Sequence, residues 1–274
     1  MPDRARLLFD ALDLTADDFR RVCRIAFECA GLAITDGKEG LIRSRLAKRL
    51  RERRFSSFGA YLDEIESGER SNELAVLIDL LTTNKTDFFR EPVHFKYLLD
   101  HIVPVSVSAG LPIRIWSAGC SSGEEAYTLS MVLSEALPAR YDFRILGTDI
   151  STRVVAHARN GAYSAAQLAC VTAERRTRWF APAADGGGVA RAELRAPITF
   201  AHLNLMARWP MSGPFDAIFC RNVMLYFDKP TVAALVARFY QLLAPGGHLF
   251  IGHTESLTAI DHDYRYIQPA VYAR

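Results

Sequence analysis

Through the first eighty or so positions the apolar residues recur every three or four places, the spacing of helices that bury a single face. That spacing predicts helices over residues 16–29, 38–54, 58–66 and 72–81, separated at Gly31, Gly37 and Ser67-Gly68. Residues 1–81 are therefore expected to form an all-helical domain. The polar run Thr82-Thr83-Asn84-Lys85-Thr86 breaks the pattern, and Pro92 suits the first turn of another helix ending near His101. Residues 82–92 read as a linker. Beyond Pro112, short apolar runs alternate with helical stretches: strands over 113–117, 143–148, 215–220 and 248–252, helices over 124–137, 152–160 and 229–243. Such alternation predicts an α/β domain over residues 93–274, built on a parallel, doubly wound sheet whose ligands sit at the carboxyl ends of the strands. Residues 177–202 break the rhythm. There Ala184-Asp185-Gly186-Gly187-Gly188 can turn, and 189–194 and 198–203 can be extended, so this stretch reads as a small antiparallel β insertion.

A length of 274 residues suits one large domain and a smaller one. With half the residues hydrophobic and 23% charged, the disordered classes are excluded. Residues 1–13 carry Asp3, Arg4, Arg6, Asp10 and Asp13, and so lack the unbroken apolar core of a signal peptide. No later run reaches the roughly 18 apolar residues of a membrane span. The expectation is a cytoplasmic protein with no direct membrane insertion. Five cysteines are scattered without a CxxC pair and seven histidines without an HExxH, so no metal site is expected. A net charge of +2 argues against nucleic-acid binding by the chain as a whole.

The first strand of the second domain runs into Ala118-Gly119-Cys120-Ser121-Ser122-Gly123 and then a helix, the order in which a glycine loop brings backbone close to a ligand. Only two glycines are present, so the loop departs from the GxGxxG of dinucleotide sites and also reads as an ordinary tight turn. The next strand ends in Gly147-Thr148-Asp149. Its carboxylate suits the hydroxyls of a ribose, or caps the following helix, a role that Ser151 could also fill. Glu124 and Glu125 open the helix after the loop, where the helix dipole alone would favour them. Acidic groups there oppose a pyrophosphate and suit a cofactor bearing positive charge, which favours S-adenosylmethionine over NAD. Arg221 and Asn222 end the strand over 215–220 at the same edge.

The stretch Asn84-Lys85-Thr86-Asp87-Phe88-Phe89-Arg90-Glu91 resembles the linker signature of the chemotaxis receptor methyltransferases, the CheR family. Residues 116–127, 147–150 and 202–206 and the segment Cys220-Arg221-Asn222-Val223-Met224-Leu225-Tyr226-Phe227 match in order, and the similarity extends over almost the full chain. The resemblance implies a class I, Rossmann-like methyltransferase domain using S-adenosylmethionine and releasing S-adenosylhomocysteine. It implies that Asn84, Thr86 and Arg90 close over the cofactor, and that Glu124 and Asp149 hold its methionine and ribose portions beside Gly119. Asn204 and Leu205 would flank the adenine, and Arg221 and Asn222 would line the remaining wall. Arg90 and Tyr226 would lie nearest the transferred methyl. Without the resemblance, Arg90 reads as a surface arginine paired with Glu91 or Asp87, and Tyr226 as packing beside Phe227. The implied reaction makes methyl esters on glutamate side chains of chemoreceptors for chemotactic adaptation. A glutamate near neutral pH is already an anion, so no general base is needed.

In residues 41–54, Ile42, Leu46 and Leu50 mark one helix face, while Arg45, Lys48 and Arg51 fall on the other side. Solvation alone accounts for such a basic face. The resemblance makes it a docking surface for the glutamate-rich helical bundle of a chemoreceptor, where complementary charge speeds encounter. RNA is the competing partner, but an RNA reader would interleave aromatics for stacking, and 41–54 holds none. In some members of the family the β insertion grips a receptor's C-terminal peptide by adding a strand to its edge. The turn at 184–188 is short for that tether, and a buttress for the catalytic domain is the other reading. Two rival functions stay open: an RNA or small-molecule methyltransferase with the same cofactor site, and a non-catalytic S-adenosylmethionine-binding sensor, against which the intact Arg90 and Tyr226 weigh.

Overall fold

The computed structural model describes residues 12–68 and 71–274, so most of the N-terminal segment weighed as a signal peptide lies outside the described residues. The chain divides into two compact units, one running through Thr83 and including Tyr226–Asp228, the other formed by Asn84–Leu225 and Lys229–Arg274.

The first unit is made of helices Ala16–Ala30, Glu39–Arg53, Phe58–Ser67 and Ser71–Leu81. Local chemistry sets their ends. The Thr15 hydroxyl accepts the Asp18 amide at 3.1 Å, Gly31 closes the first helix in the left-handed region at φ 70°, and the Ser57 hydroxyl accepts the Ala60 amide at 3.1 Å. The expected apolar stripes face inward: Phe19, Val22 and Ile25, then Ile42, Leu46 and Leu50, then Phe58, Tyr61, Leu62 and Ile65 are all buried. Among the described residues no helix is long and apolar enough to cross a membrane.

The second unit carries strands β1 (Ile113–Ala118), β2 (Phe143–Asp149), β3 (Ala162–Tyr163), β4 (Phe180–Pro182), β5 (Gly188–Ala190), β6 (Ile198–His202), β7 (Phe215–Cys220), β8 (Leu243–Ile251), β9 (Arg265–Gln268) and β10 (Val271–Ala273). A seven-stranded sheet has the order β6-β2-β1-β7-β8-β10-β9. Its β6, β2, β1, β7 and β8 are parallel, and β10 and β9 are antiparallel additions. Ser117 of β1 pairs with Gly147 of β2 and Phe219 of β7, which aligns the carboxyl ends of three strands on one edge. Nearly every residue of β1 and β7 is buried, the pattern of strands covered on both faces. The helices Glu124–Ala136, Thr152–Asn160 and Lys229–Leu242 follow their strands as expected.

Four details depart from the sequence reading. The small antiparallel sheet is β3-β5-β4, whereas Ile198–His202 joins the large sheet in parallel beside β2. Periodicity marks a segment as extended but does not choose its partner. Residues 192–195 form a helical turn, Ala192–Arg195, in keeping with the helix propensity of Ala-Glu-Leu-Arg. The helix after Pro92 continues past His101 through a π-helical turn, Leu98–Ile102, and resumes as Val103–Ala109. Pro104 is tolerated there because it stands in the first turn of the resumed helix. The β9–β10 hairpin turns through Ala270 at φ 64°, without the glycine that would have marked it in the sequence.

Candidate active site

The loop after β1 requires its glycines. Gly119 sits at φ 91°, and a Cβ there would lie 2.3 Å from Val223 Cγ2; at Gly123 it would lie 2.9 Å from both Ala158 Cβ and the Tyr163 hydroxyl. The loop amides turn inward. Those of Gly119 and Cys120 donate to the Thr148 carbonyl at 2.8 and 2.9 Å, that of Ser121 to Asp149 Oδ2 at 2.9 Å, and that of Gly123 to the Cys120 carbonyl at 3.0 Å. A pyrophosphate cradle needs such amides facing the ligand, so this loop is not one.

Asp149 is nearly buried and also accepts the Ser151 amide at 2.9 Å. The cap of the next helix is Ser151, whose hydroxyl accepts the Val154 amide at 3.2 Å. That removes capping as a reason for Asp149 and leaves a carboxylate fastened between two strand ends. Glu124, 1% exposed, accepts the Ser122 hydroxyl at 2.7 Å and the Gln167 side-chain amide at 3.2 Å. Burial pushes its carboxyl above the usual range against those two bonds, and the charge of Asp87 adds to the rise. Two buried carboxylates with Asp87 nearby make this edge acidic. The donor set fits S-adenosylmethionine, whose sulfonium and ammonium are cationic and whose ribose offers hydroxyl protons, and it does not fit a phosphate-bearing cofactor.

Residues 84–91 lie along the second unit. The Asn84 carbonyl accepts the Ser121 hydroxyl at 2.9 Å, and Thr86 is half-buried. Phe88 is buried edge-on to Tyr163 and Phe180, with ring centroids 4.9 and 5.8 Å away. Arg90 remains partly exposed and donates to the Lys85 carbonyl at 3.1 Å; among the described residues it makes no ion pair with Glu91 or Asp87. Arg221, expected on the cofactor wall, is buried and turned toward the linker. It donates to Glu91 Oε2 at 3.0 and 3.2 Å, to Glu125 Oε2 at 2.9 Å and to the Arg90 carbonyl. Asn222 adopts φ 59°, its amide donating to Glu255 Oε2 at 2.9 Å.

Asn204 and Leu205 follow β6, at the carboxyl edge beyond β2. The Asn204 side-chain oxygen accepts the Met206 amide at 2.9 Å, and the Leu205 carbonyl accepts from Trp209 and Arg238. Tyr226 falls within the first unit, partly exposed, its carbonyl accepting the Ala33 amide at 2.7 Å. The basic trio of that unit is split. Arg45 donates to the Leu81 carbonyl at 2.6 Å and the Thr83 hydroxyl at 2.7 Å, closing the end of the Ser71–Leu81 helix, whereas Lys48 and Arg51 stay exposed.

Sequence reasoning overlooked Gln167, which comes from the insertion and has no sequence signal tying it to Glu124. It also overlooked Glu255, which gathers the amides of Asn222, Leu225 and Gly252. Glu255 did carry a signal, an acidic residue just past the end of β8. Glu91, His94 and His253 bring possible metal-ligand atoms within 4.8 Å of one another. The Glu91 oxygens, however, already accept the Arg221 guanidinium and the His253 amide. A divalent cation would have to sit beside that buried guanidinium, so the donor set does not suit one.

The sequence matches two family models in tandem: CheR methyltransferase, all-alpha domain, over residues 17–82, and CheR methyltransferase, SAM binding domain, over residues 84–273. The chain belongs to the CheR methyltransferase family. It is 38% identical to a chemotaxis protein methyltransferase of Escherichia coli (strain K12), covering 96% of this chain and 93% of that one. Identity is 40% to a probable chemotaxis protein methyltransferase of Rhizobium etli, over 84% and 88% of the two chains, and 36% to a chemotaxis protein methyltransferase of Borreliella burgdorferi, over 96% of each. As a CheR chain it is an S-adenosylmethionine-dependent methyltransferase of chemotaxis.

Proposed function

We propose that this CheR chain transfers the methyl group of S-adenosylmethionine to glutamate side-chain carboxylates of chemoreceptors, forming methyl esters and releasing S-adenosylhomocysteine. The observation that carries this reading is the acidic edge made by Glu124 and Asp149 around a loop whose amides face inward. When bound, the cofactor would supply an electrophilic methyl carbon, to which the acceptor carboxylate oxygen would bond as the sulfur leaves with the electron pair of the broken carbon–sulfur bond.

The chain's own residues then have defined roles. Glu124 holds the cofactor's ammonium group, Asp149 accepts from ribose hydroxyls, and Asn204 and Leu205 flank the adenine. Asn84, Thr86 and Arg90, within a linker of residues 82–92, close the site, with the buried Phe88 excluding water. Arg90 steers the acceptor carboxylate by charge, and the Tyr226 hydroxyl donates a hydrogen bond to it. No proton moves, because the acceptor enters as an anion; the rate comes from alignment in a water-poor site. Lys48 and Arg51 on the helical unit meet the acidic helical bundle of the receptor, in the cytoplasm where that bundle lies. The turn in the β insertion between Pro182 and Gly188 is short, which favours a buttressing role over capture of a receptor C-terminal peptide.

The test is to incubate the protein with cofactor and a chemoreceptor cytoplasmic fragment and map the modified residues by mass spectrometry. One added methyl on glutamates, removed by mild alkali and greatly reduced by Arg90→Ala and Tyr226→Phe, is the expected result. Methyl groups on any other residue type, or none despite cofactor binding, would overturn the assignment.

A further inference from the structure

Arg90 is flanked on both sides by residues in the left-handed backbone region: Phe89 at φ 57° and Glu91 at φ 55°. Side-chain-bearing residues adopt that region only where surrounding contacts impose it. On one side the Phe89 amide donates to the Thr128 hydroxyl at 3.1 Å, and that hydroxyl donates to the Glu124 carbonyl at 2.7 Å. On the other stands Arg221, its side chain 3% exposed. It reaches from the end of β7 to the Arg90 carbonyl, the Glu91 carboxylate and the Glu125 carboxylate together. Glu125 is itself fixed by the Ser117 hydroxyl at 2.7 Å, and the other Glu91 oxygen takes the His253 amide at 3.3 Å. Through this guanidinium, β1, β7, the segment after β8 and the first turn of the Glu124–Ala136 helix are tied to the Arg90–Glu91 peptide, while Thr128 of the same helix holds the Phe89 amide on the other side. A lysine, donating from a single point, could not span these three acceptors.

We propose that Arg221 and Glu91 form a clip that holds the strained Phe89-Arg90-Glu91 backbone and so aims the Arg90 side chain, making both of them positioning residues for methyl transfer. Glu91 is suited to this role by its charge. Burial raises its carboxyl, but the Arg221 guanidinium and the His253 amide outweigh that and hold it below its ordinary value, so it stays ionised. The inference rests on the proposed function, in which Arg90 faces the acceptor carboxylate.

The test is a double-mutant cycle between Glu91→Gln and Arg90→Ala, with kcat and KM measured on a chemoreceptor fragment and thermal unfolding followed for each variant. Glu91→Gln keeps the shape of the side chain and removes only the charge, so it guards against the misfolding that Arg221→Ala risks by taking the shared guanidinium from two largely buried carboxylates. In the otherwise native chain, Glu91→Gln should lower kcat about 10- to 100-fold with little change in KM or unfolding temperature. In the Arg90→Ala background the same change should cost less than about twofold, because a residue acting through Arg90 has nothing left to aim. Arg221→Lys should behave like Glu91→Gln. Equal losses in both backgrounds, or no loss in either, would overturn the clip. A native kcat for Arg90→Ala alone would overturn the underlying role of Arg90, a distinguishable failure.

Discussion

In the helical unit, charged side chains join helices largely across the surface, whereas at the carboxyl edge of the sheet unit a buried set fastens loops. Arg21 donates to Asp63 at 2.6 Å and to Glu66 at 2.5 Å, and Arg24 to Glu66 at 2.6 Å. Arg49 and Arg53 share Glu73, the one nearly buried member of these pairs. Exposed pairs of this kind contribute about 0–1 kcal/mol each, so the unit relies on its apolar stripes and uses the pairs to fix helix register. In the sheet unit, Arg221, Glu124 and Asp149 are almost fully buried, and their bonds run to the linker, to the loops after β1 and β2, to the first turn of the Glu124–Ala136 helix and to Gln167 of the insertion. Deleting a buried guanidinium such as Arg221, which leaves both of its carboxylates uncompensated, costs about 3–5 kcal/mol. Charge thus fastens the loops of the carboxyl edge in one unit, and in the other it leaves Lys48 and Arg51 exposed on a helix face.

The largest effect that would break this contrast is expected at Asp149. Asp149→Ala removes an acceptor of two backbone amides and, in the proposed function, of the ribose hydroxyls, and should weaken S-adenosylhomocysteine binding about 100-fold by calorimetry. An affinity within about threefold of the native chain would remove Asp149 from the site. The buried histidines offer a second test. Burial pushes His94 down to about 3 and His248 down to about 4 from an ordinary 6.5, so both stay neutral in the fold while the unfolded chain takes up protons. Stability should therefore be full above about pH 6.5 and fall as the pH drops toward these values, by about 2 kcal/mol per histidine at pH 5. Denaturant unfolding of His94→Phe at pH 7 and pH 5 should show about half the loss of the native chain; an unchanged loss would contradict the burial argument.

Smaller effects sharpen the surface side of the comparison. Joint replacement Lys48→Glu and Arg51→Glu should raise KM for a receptor fragment about 5- to 10-fold at low ionic strength and less at high salt, with S-adenosylhomocysteine affinity unchanged. Arg45→Ala should leave that salt dependence intact, because Arg45 is engaged with Leu81 and Thr83. Smallest of all, Arg21→Ala should lower unfolding free energy by about 0.5–1 kcal/mol; a loss of several kcal/mol would mean that surface ion pairs hold the helical unit together.

What the sequence makes legible follows from where physics is local. Helix spans, capping residues and the parallel α/β rhythm depend on neighbours a few positions away, and Ser57, Gly31 and the β1 loop behave as their surroundings dictate. The carboxyl-edge rule for parallel sheets is enough to place Glu124, Asp149 and Asn222 at one edge from the strand pattern alone. Partners distant in sequence are not legible. Ile198–His202 is recognisable as extended but not as the neighbour of β2, and nothing near Glu124 announces Gln167. Arg221 is legible as a position at the edge, but not in the direction its guanidinium takes, since that direction is set by Glu91 and Glu125 from two other segments.

The most direct measurement follows methyl-labelled S-adenosylmethionine into a chemoreceptor cytoplasmic fragment and asks whether mild alkali releases the label as volatile methanol. Release of nearly all the label, with none incorporated when the fragment's exposed glutamates are replaced by alanine, is the predicted result. Label that survives alkali, or that incorporates equally into the alanine-substituted fragment, would contradict glutamate methylation of receptors.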